Sequence, residues 1–248
     1  MKTTTAPFEA PNLRWRKRSV PPNLAPDALH LWRIPLGENP GRLGADDLAL
    51  LSRKQQQRVR RLRTPQLQRR YLRAHSAMRR ILGGYLQRPP QTITLSYGAA
   101  GKPSLTGDHR QLEFNLTTSG DLALLAVAAE HEVGVDCEPV RDDRDLAGIA
   151  HRMFPADDAV AIDRLPATER ALAFYLHWTA LEARVKADGR GLAGWQEPDM
   201  PGLEIRHAVA GHLGGTDVIC AVARRALPPV RDWITLELTD TRPGEDSR

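Results

Sequence analysis

The sequence has only two cysteines, Cys137 and Cys220, each inside an apolar, strand-like run. They lack metal-ligand spacing and do not form a disulfide framework, so a reducing cytoplasm is the expected location. No apolar run approaches the roughly 18 residues of a membrane-spanning helix. The start, MKTTTAPFEAPNLRWRKRSV, has no apolar h-region and does not read as a signal peptide. There is no Ser/His/Asp arrangement, no P-loop and no G-x-G-x-x-G turn in a supporting context. The eight histidines, His131, His151 and His177 among them, lack metal-ligand spacing and read as surface or satisfied core residues. Acids are missing altogether between Leu51 and Arg80.

That acid-free stretch holds eleven Lys or Arg, while the whole chain of 248 residues carries a net charge of +5. The remainder is therefore acidic, and the asymmetry points to a polyanionic partner, either a nucleic acid or a phosphate-rich small molecule. The acids that stand out lie further on. In HEVGVDCEPV, Val133, Val135 and Cys137 alternate with Asp136 and Glu138, the period of a half-buried strand. Side chains at i and i+2 leave a strand on one face, so both carboxylates point the same way. In FYLHWTALEARVKADGRGL, Phe174, Trp178, Leu181 and Val185 form an apolar helical stripe, with Tyr175, Glu182 and Lys186 in a line beside it. Three convergent carboxylates and a lysine suit a hard divalent cation such as Mg²⁺ facing a phosphate. Taken singly, each piece also has an ordinary reading, a solvated strand edge and an i,i+4 ion pair.

The chain is long enough for one large domain or two small ones. Residues 1–27, rich in Pro and Thr, read as a loose tail with Trp15 available for packing. A strand is expected at 28–34 and helices at 47–62 and 66–87, the second with its arginines on solvated faces. Strands follow at 92–97, 111–117 and 122–129, with turns at GKP (101–103) and SGD (119–121). The run 111–138 reads as an antiparallel meander. Helices at 143–153, 156–163 and 167–187 precede strands at 203–209, 217–223 and 232–238, with Gly189 and Gly191 stopping the long helix. The class is α+β.

The order GKP, FN-L-T-T-SG, VGVDCE, then W-x-x-x-E-A-x-x-K-x-x-G-x-GL resembles the larger, two-halved 4′-phosphopantetheinyl transferases. The resemblance spans roughly residues 50–192. It implies two similar α+β halves related by a pseudo-twofold, 28–130 and 131–240, with a tail at 241–248 and coenzyme A in the cleft between the halves. It implies transfer of phosphopantetheine from coenzyme A to a serine of an apo acyl or peptidyl carrier protein by a Mg²⁺-dependent monomer. By the same resemblance Asp136, Glu138 and Glu182 are the Mg²⁺-binding acids and Lys186 stands near the pyrophosphate. Lys102 and Pro103 match the GKP contact with coenzyme A. Arg70, Arg58, Thr117 and Thr118 match further contacts to it, and Glu182 and Lys186 take the catalytic roles. The basic block then serves phosphate binding. Two positions depart from the family. Thr118 stands where histidine is usual, and Leu181 where many members have lysine. Thr118 keeps one hydroxyl donor but no charge, and Leu181 completes the apolar stripe.

Two rival readings follow from the same residues. A nucleic-acid-binding module would use the arginines of 53–80, but Tyr71 is the one aromatic there, and the acids at 136, 138 and 182 would have no task. A catalytically inactive coenzyme A or carrier binder would account for Thr118 and Leu181.

Overall fold

The computed structural model describes residues 10–37, 45–107 and 111–239. Strands are β1 (Arg16–Arg18), β2 (Leu29–Pro35), β3 (Leu95–Tyr97), β4 (Pro103–Leu105), β5 (Leu112–Ser119), β6 (Leu122–Ala129), β7 (Val133–Pro139), β8 (Leu203–Leu213), β9 (Thr216–Arg225) and β10 (Ile234–Leu238). Helices are α1 (Ala45–Leu50), α2 (Arg53–Arg61), α3 (Pro65–Leu86), α4 (Leu146–Met153), α5 (Ala156–Asp163) and α6 (Ala167–Asp188). The α+β class stands. Among the described residues no helix is long and apolar enough to cross a membrane.

The strands form a five-stranded sheet ordered β1-β10-β2-β6-β5, a three-stranded sheet ordered β7-β9-β8, and a β3-β4 hairpin. Alternation along β6 explains how the layers stack. Leu122, Leu124, Ala126 and Ala128 face one core, and Ala123, Leu125 and Val127 face another. The first core is shared with Val133, Val135 and Cys137 of β7 and Val218, Cys220 and Val222 of β9, so the two sheets pack face to face. The second is covered by Ala74, Ala77, Met78, Ile81 and Leu82 of α3. Beyond the three-stranded sheet, Ala183 and Ala187 of α6 pack on Ala221 and Ala223 of β9. The order is helix, sheet, sheet, helix. One sheet has five strands and the other three, so strand count does not express the implied twofold.

Several expectations change. The helix expected over 47–62 is two helices, because Ser52 is extended and caps α2 in a reciprocal box with Gln55. The strand expected at 92–97 is shortened to β3, since Pro90–Thr92 forms a 3₁₀ turn. The meander ends at β6: β7 pairs with β9, not β6. Both edges of β6 are already taken, by β2 and β5, so β7 must lie across its face. The sheets are not wholly antiparallel, because β10 runs parallel to both β2 and β1. β10 thus joins the sheet built from 28–130, although it lies within 131–240. The described part of the 1–27 tail is docked. β1 pairs with β10, Leu13 and Pro11 bond the backbone of Val209, and Trp15 Nε1 donates to the Ala210 carbonyl at 3.1 Å. Residues 1–9 and 241–248 lie outside the described residues.

α6 departs from the single stripe as well. Phe174, Trp178 and Leu181 pack with α4 and α5, while Leu176, Thr179, Ala183 and Ala187 form a second buried line. Small residues on that line let helix and sheet approach closely. An added Cβ on Gly134 of β7 would meet the Ala183 carbonyl at 1.9 Å. Gly189 ends the helix at φ 76°, the left-handed cap that glycine adopts without strain.

Candidate active site

β5 and β7 are edge strands of different sheets, and α6 lies over the outer face of β7. The period of two that turns Val133, Val135 and Cys137 into the inter-sheet core turns Gly134, Asp136 and Glu138 to the other face. The Asp136 side chain is 5% exposed, buried at the centre of the cluster. Lys186 Nζ donates to its Oδ1 at 2.7 Å and Thr117 Oγ1 donates to the same atom at 2.9 Å. Lys186 also stands 3.3 Å from Glu182 Oε2, one helical turn earlier. Glu138 Oε2 accepts the Ser119 hydroxyl at 2.7 Å. Asp136, Glu182 and Lys186 thus converge as the sequence predicts, with Glu138 beside them on the same strand face.

The electrostatics follow from this burial. Desolvation pushes the Asp136 carboxyl up to about 6; Lys186 opposes the shift, and Glu182 and Glu138 add to it. For Lys186 burial works against the charge, yet Asp136 and Glu182 outweigh it and hold the ammonium above its usual range. Three acids around one lysine leave an excess of negative charge. Asp136 Oδ2 is buried without a hydrogen-bond partner.

The fit to a divalent cation can be judged on these atoms. Among the described residues, no three His, Cys, Asp or Glu side chains stand close enough to hold a metal as they are. The ammonium of Lys186 bridges Asp136 and Glu182, where a cation would otherwise compensate them. The donor chemistry nevertheless fits a hard ion. Every candidate atom is a carboxylate oxygen, and one of them is an orphaned buried acceptor.

The other predicted site residues are placed differently. Lys102 is turned inward: its Nζ donates to the carbonyls of Val133, at 3.2 Å, and Ala187. It is a strut between the GKP turn, β7 and the end of α6, where a cation favours the helix dipole. Burial lowers its pKa, against the pull of Glu113, Glu132 and Asp188. Pro103 begins β4. Thr118 is exposed beside buried Thr117. Arg70 Nε bonds Asp121 Oδ1 at 2.8 Å, next to the β5–β6 turn, and Arg58 is exposed on α2. The basic block is not one solvated face. Arg73 and Arg79 are buried, Arg79 bonding Gln55 and the Ile93 carbonyl, and Arg80 pairs with Asp47. The exposed positive charge comes from α2, the α2–α3 turn and the start of α3, at Arg53, Lys54, Arg58, Arg60, Arg61, Arg63 and Arg69. Asn115 and Ser119 were not singled out from sequence. Their signal was the polar spacing 115, 117, 119 along a strand.

The site is a carboxylate–lysine cluster where β7 meets α6 in an α+β fold. The model of the 4′-phosphopantetheinyl transferase superfamily matches residues 132–221, which span β7, α6 and most of β9. The chain is 38% identical over 182 residues to the 4′-phosphopantetheinyl transferase HetI of Nostoc sp., covering 71% of this chain and 76% of that protein. It is 34% identical to a putative 4′-phosphopantetheinyl transferase of Synechocystis sp., covering 59% of this chain and 60% of that one. The AcpT transferase of Escherichia coli K12 is 33% identical over 120 residues, 48% of this chain and 58% of AcpT. The chain belongs to the 4′-phosphopantetheinyl transferase family.

Proposed function

We propose that the protein transfers 4′-phosphopantetheine from coenzyme A to a serine hydroxyl of an apo acyl or peptidyl carrier protein, with Mg²⁺ bound. The observation that carries this reading is the buried Asp136, joined through Lys186 to Glu182, in a chain of this family. Asp136, Glu138 and Glu182 would hold the ion. Bound there, Mg²⁺ supplies a Lewis acid that neutralises charge on the pyrophosphate.

The chain's own residues do the rest. Glu182 takes the proton of the carrier serine, directly or through a water it orients. The serine oxygen bonds to the β-phosphorus of coenzyme A. The bond from that phosphorus to the bridging oxygen breaks, and 3′,5′-ADP leaves with the electron pair. Lys186 stabilises the pyrophosphate oxygens as they gain charge. Positioning and electrostatics suffice for phosphoryl transfer, so no covalent enzyme intermediate is needed. Exposed arginines of α2, Arg58 among them, together with Arg70, supply cations for the nucleotide phosphates. Lys102 supports this site from beneath, as its two carbonyl contacts indicate.

Intact mass of an apo carrier incubated with the protein, coenzyme A and Mg²⁺ tests the reading. The expected result is a phosphopantetheine-sized gain that disappears with EDTA and in Asp136→Ala and Glu182→Ala. No gain on several acyl and peptidyl carriers, with coenzyme A still bound, would overturn it.

A further inference from the structure

The edge of one sheet meets the edge of the other without a backbone ladder. Among the described residues β5 pairs only with β6, and β7 only with β9. Side chains make the joint instead. Asn115 Oδ1 accepts the Val135 N–H at 2.9 Å, Thr117 Oγ1 donates to Asp136 Oδ1 at 2.9 Å, and Ser119 Oγ donates to Glu138 Oε2 at 2.7 Å. Asn115 and Thr117 are 4% and 6% exposed, so water does not compete freely for these bonds.

We infer that the row Asn115, Thr117 and Ser119 of β5 is a positioning device, by which one sheet sets the carboxylates that the other sheet offers to the metal. The inference rests on the proposed metal role of Asp136 and Glu138. Asn115 fixes the height of β7 through its backbone, and the two hydroxyls fix the carboxylates themselves. Thr117 and Lys186 both take Oδ1, which leaves Oδ2 as the buried, unpartnered acceptor. A neutral hydroxyl orients a carboxylate without cancelling its charge, which a second ammonium would do. Lys186 alone does not provide this orientation, because it shares its ammonium with Glu182 and approaches from the helix side. The family resemblance gives Thr117 a different task, contact with coenzyme A, and the two roles separate experimentally.

The experiment compares the full chain with Thr117→Val, Thr117→Ser and Ser119→Ala. Mn²⁺ uptake is read directly by electron paramagnetic resonance, coenzyme A binding is read calorimetrically in EDTA, and melting confirms the fold. Loss of an orienting bond weakens metal binding by about tenfold or more. The expected result is that loss in Thr117→Val, near wild-type uptake in Thr117→Ser, a weaker loss in Ser119→Ala, and unchanged coenzyme A binding in EDTA. If Thr117→Val does not fold, Ser119→Ala and Thr117→Ser carry the comparison. Wild-type Mn²⁺ affinity in both Thr117→Val and Ser119→Ala would overturn the inference. So would a Thr117→Val protein that keeps Mn²⁺ and loses coenzyme A in EDTA, which would make Thr117 a phosphate contact. A wild-type chain that takes up no Mn²⁺ would overturn the metal reading itself, and this one with it.

Discussion

At Asp136, burial and charge pull against each other, and the neighbours decide the outcome. Among the described residues Lys186 is its one cationic partner, so replacing it leaves a buried carboxylate facing two other acids. Lys186→Met is expected to lower stability by about 3 kcal/mol, in the range for breaking a buried pair, and to abolish transfer. Denaturant melts beside the carrier mass assay would read both. A second buried titratable group has its own signature. His30 is fully buried, its Nδ1 2.7 Å from the Tyr85 hydroxyl, which also accepts from Trp32 Nε1 at 2.9 Å. The tryptophan can only donate, so the tyrosine proton serves the imidazole, which must stay neutral at Nδ1. Burial lowers the His30 pKa from 6.5 to about 4. Between those values the unfolded chain binds the proton and the folded one does not. Stability from this group is therefore full above pH 6.5 and falls as pH drops towards 4, by about 3 kcal/mol in all. His30→Asn, which keeps an acceptor for Tyr85, should make that part of a stability-against-pH curve shallower, leaving the share of His75, which burial and Arg79 also lower to about 4. A slope equal to wild type would remove His30 as its source.

The elements are defined by their ends and by their points of closest approach. Ser52 separates α1 from α2, and its box with Gln55 satisfies donors that a continuous helix would have paired internally. Ser52→Ala should lower stability by about 1 kcal/mol, measured by urea melts, and leave the carboxylate cluster untouched. Gly134 is the tighter constraint. A methyl group there would strike the Ala183 carbonyl, on the helix that carries Glu182 and Lys186. Gly134→Ala is expected to lower stability by about 3 kcal/mol and to cut transfer sharply, because the helix moves off the strand. A variant that melts like wild type would show that β7 and α6 are not so closely apposed.

Across the whole molecule, the first and last described strands are woven into one body. β10 returns from the C-terminal region to the sheet of the N-terminal half, and β1 closes on β10. Buried Arg224 of β9 donates to the carbonyls of Asp27 and Ala28, at 3.2 and 3.0 Å, tying the smaller sheet to the turn that leads into β2. Thermal unfolding should therefore be a single transition, coincident by circular dichroism and tryptophan fluorescence. Two resolved transitions would show halves that fold separately. The exposed cations of α2 should make coenzyme A binding weaken as salt rises, whereas the buried Arg79 contributes nothing to that slope.

What the sequence determined by itself was whatever depends on local period and local ends. The alternation at 133–138 told which side Asp136 and Glu138 occupy, and the i,i+4 spacing of Glu182 and Lys186 put them on one helical line. The motif order named the family, and the strands at β2, β5, β6, β8 and β9 were legible from runs of apolar residues. Long-range pairing was not legible, because a strand's pattern says which face is buried and not which neighbour it takes. That β7 leaves β6 for β9, and that β10 runs parallel to β2, follows from which edges were still open once the core had closed. The inward turn of Lys102 is of the same kind. The family resemblance gave it a contact with coenzyme A, and only the arrival of the α6 C-terminus beside the GKP turn shows its ammonium on the Val133 and Ala187 carbonyls.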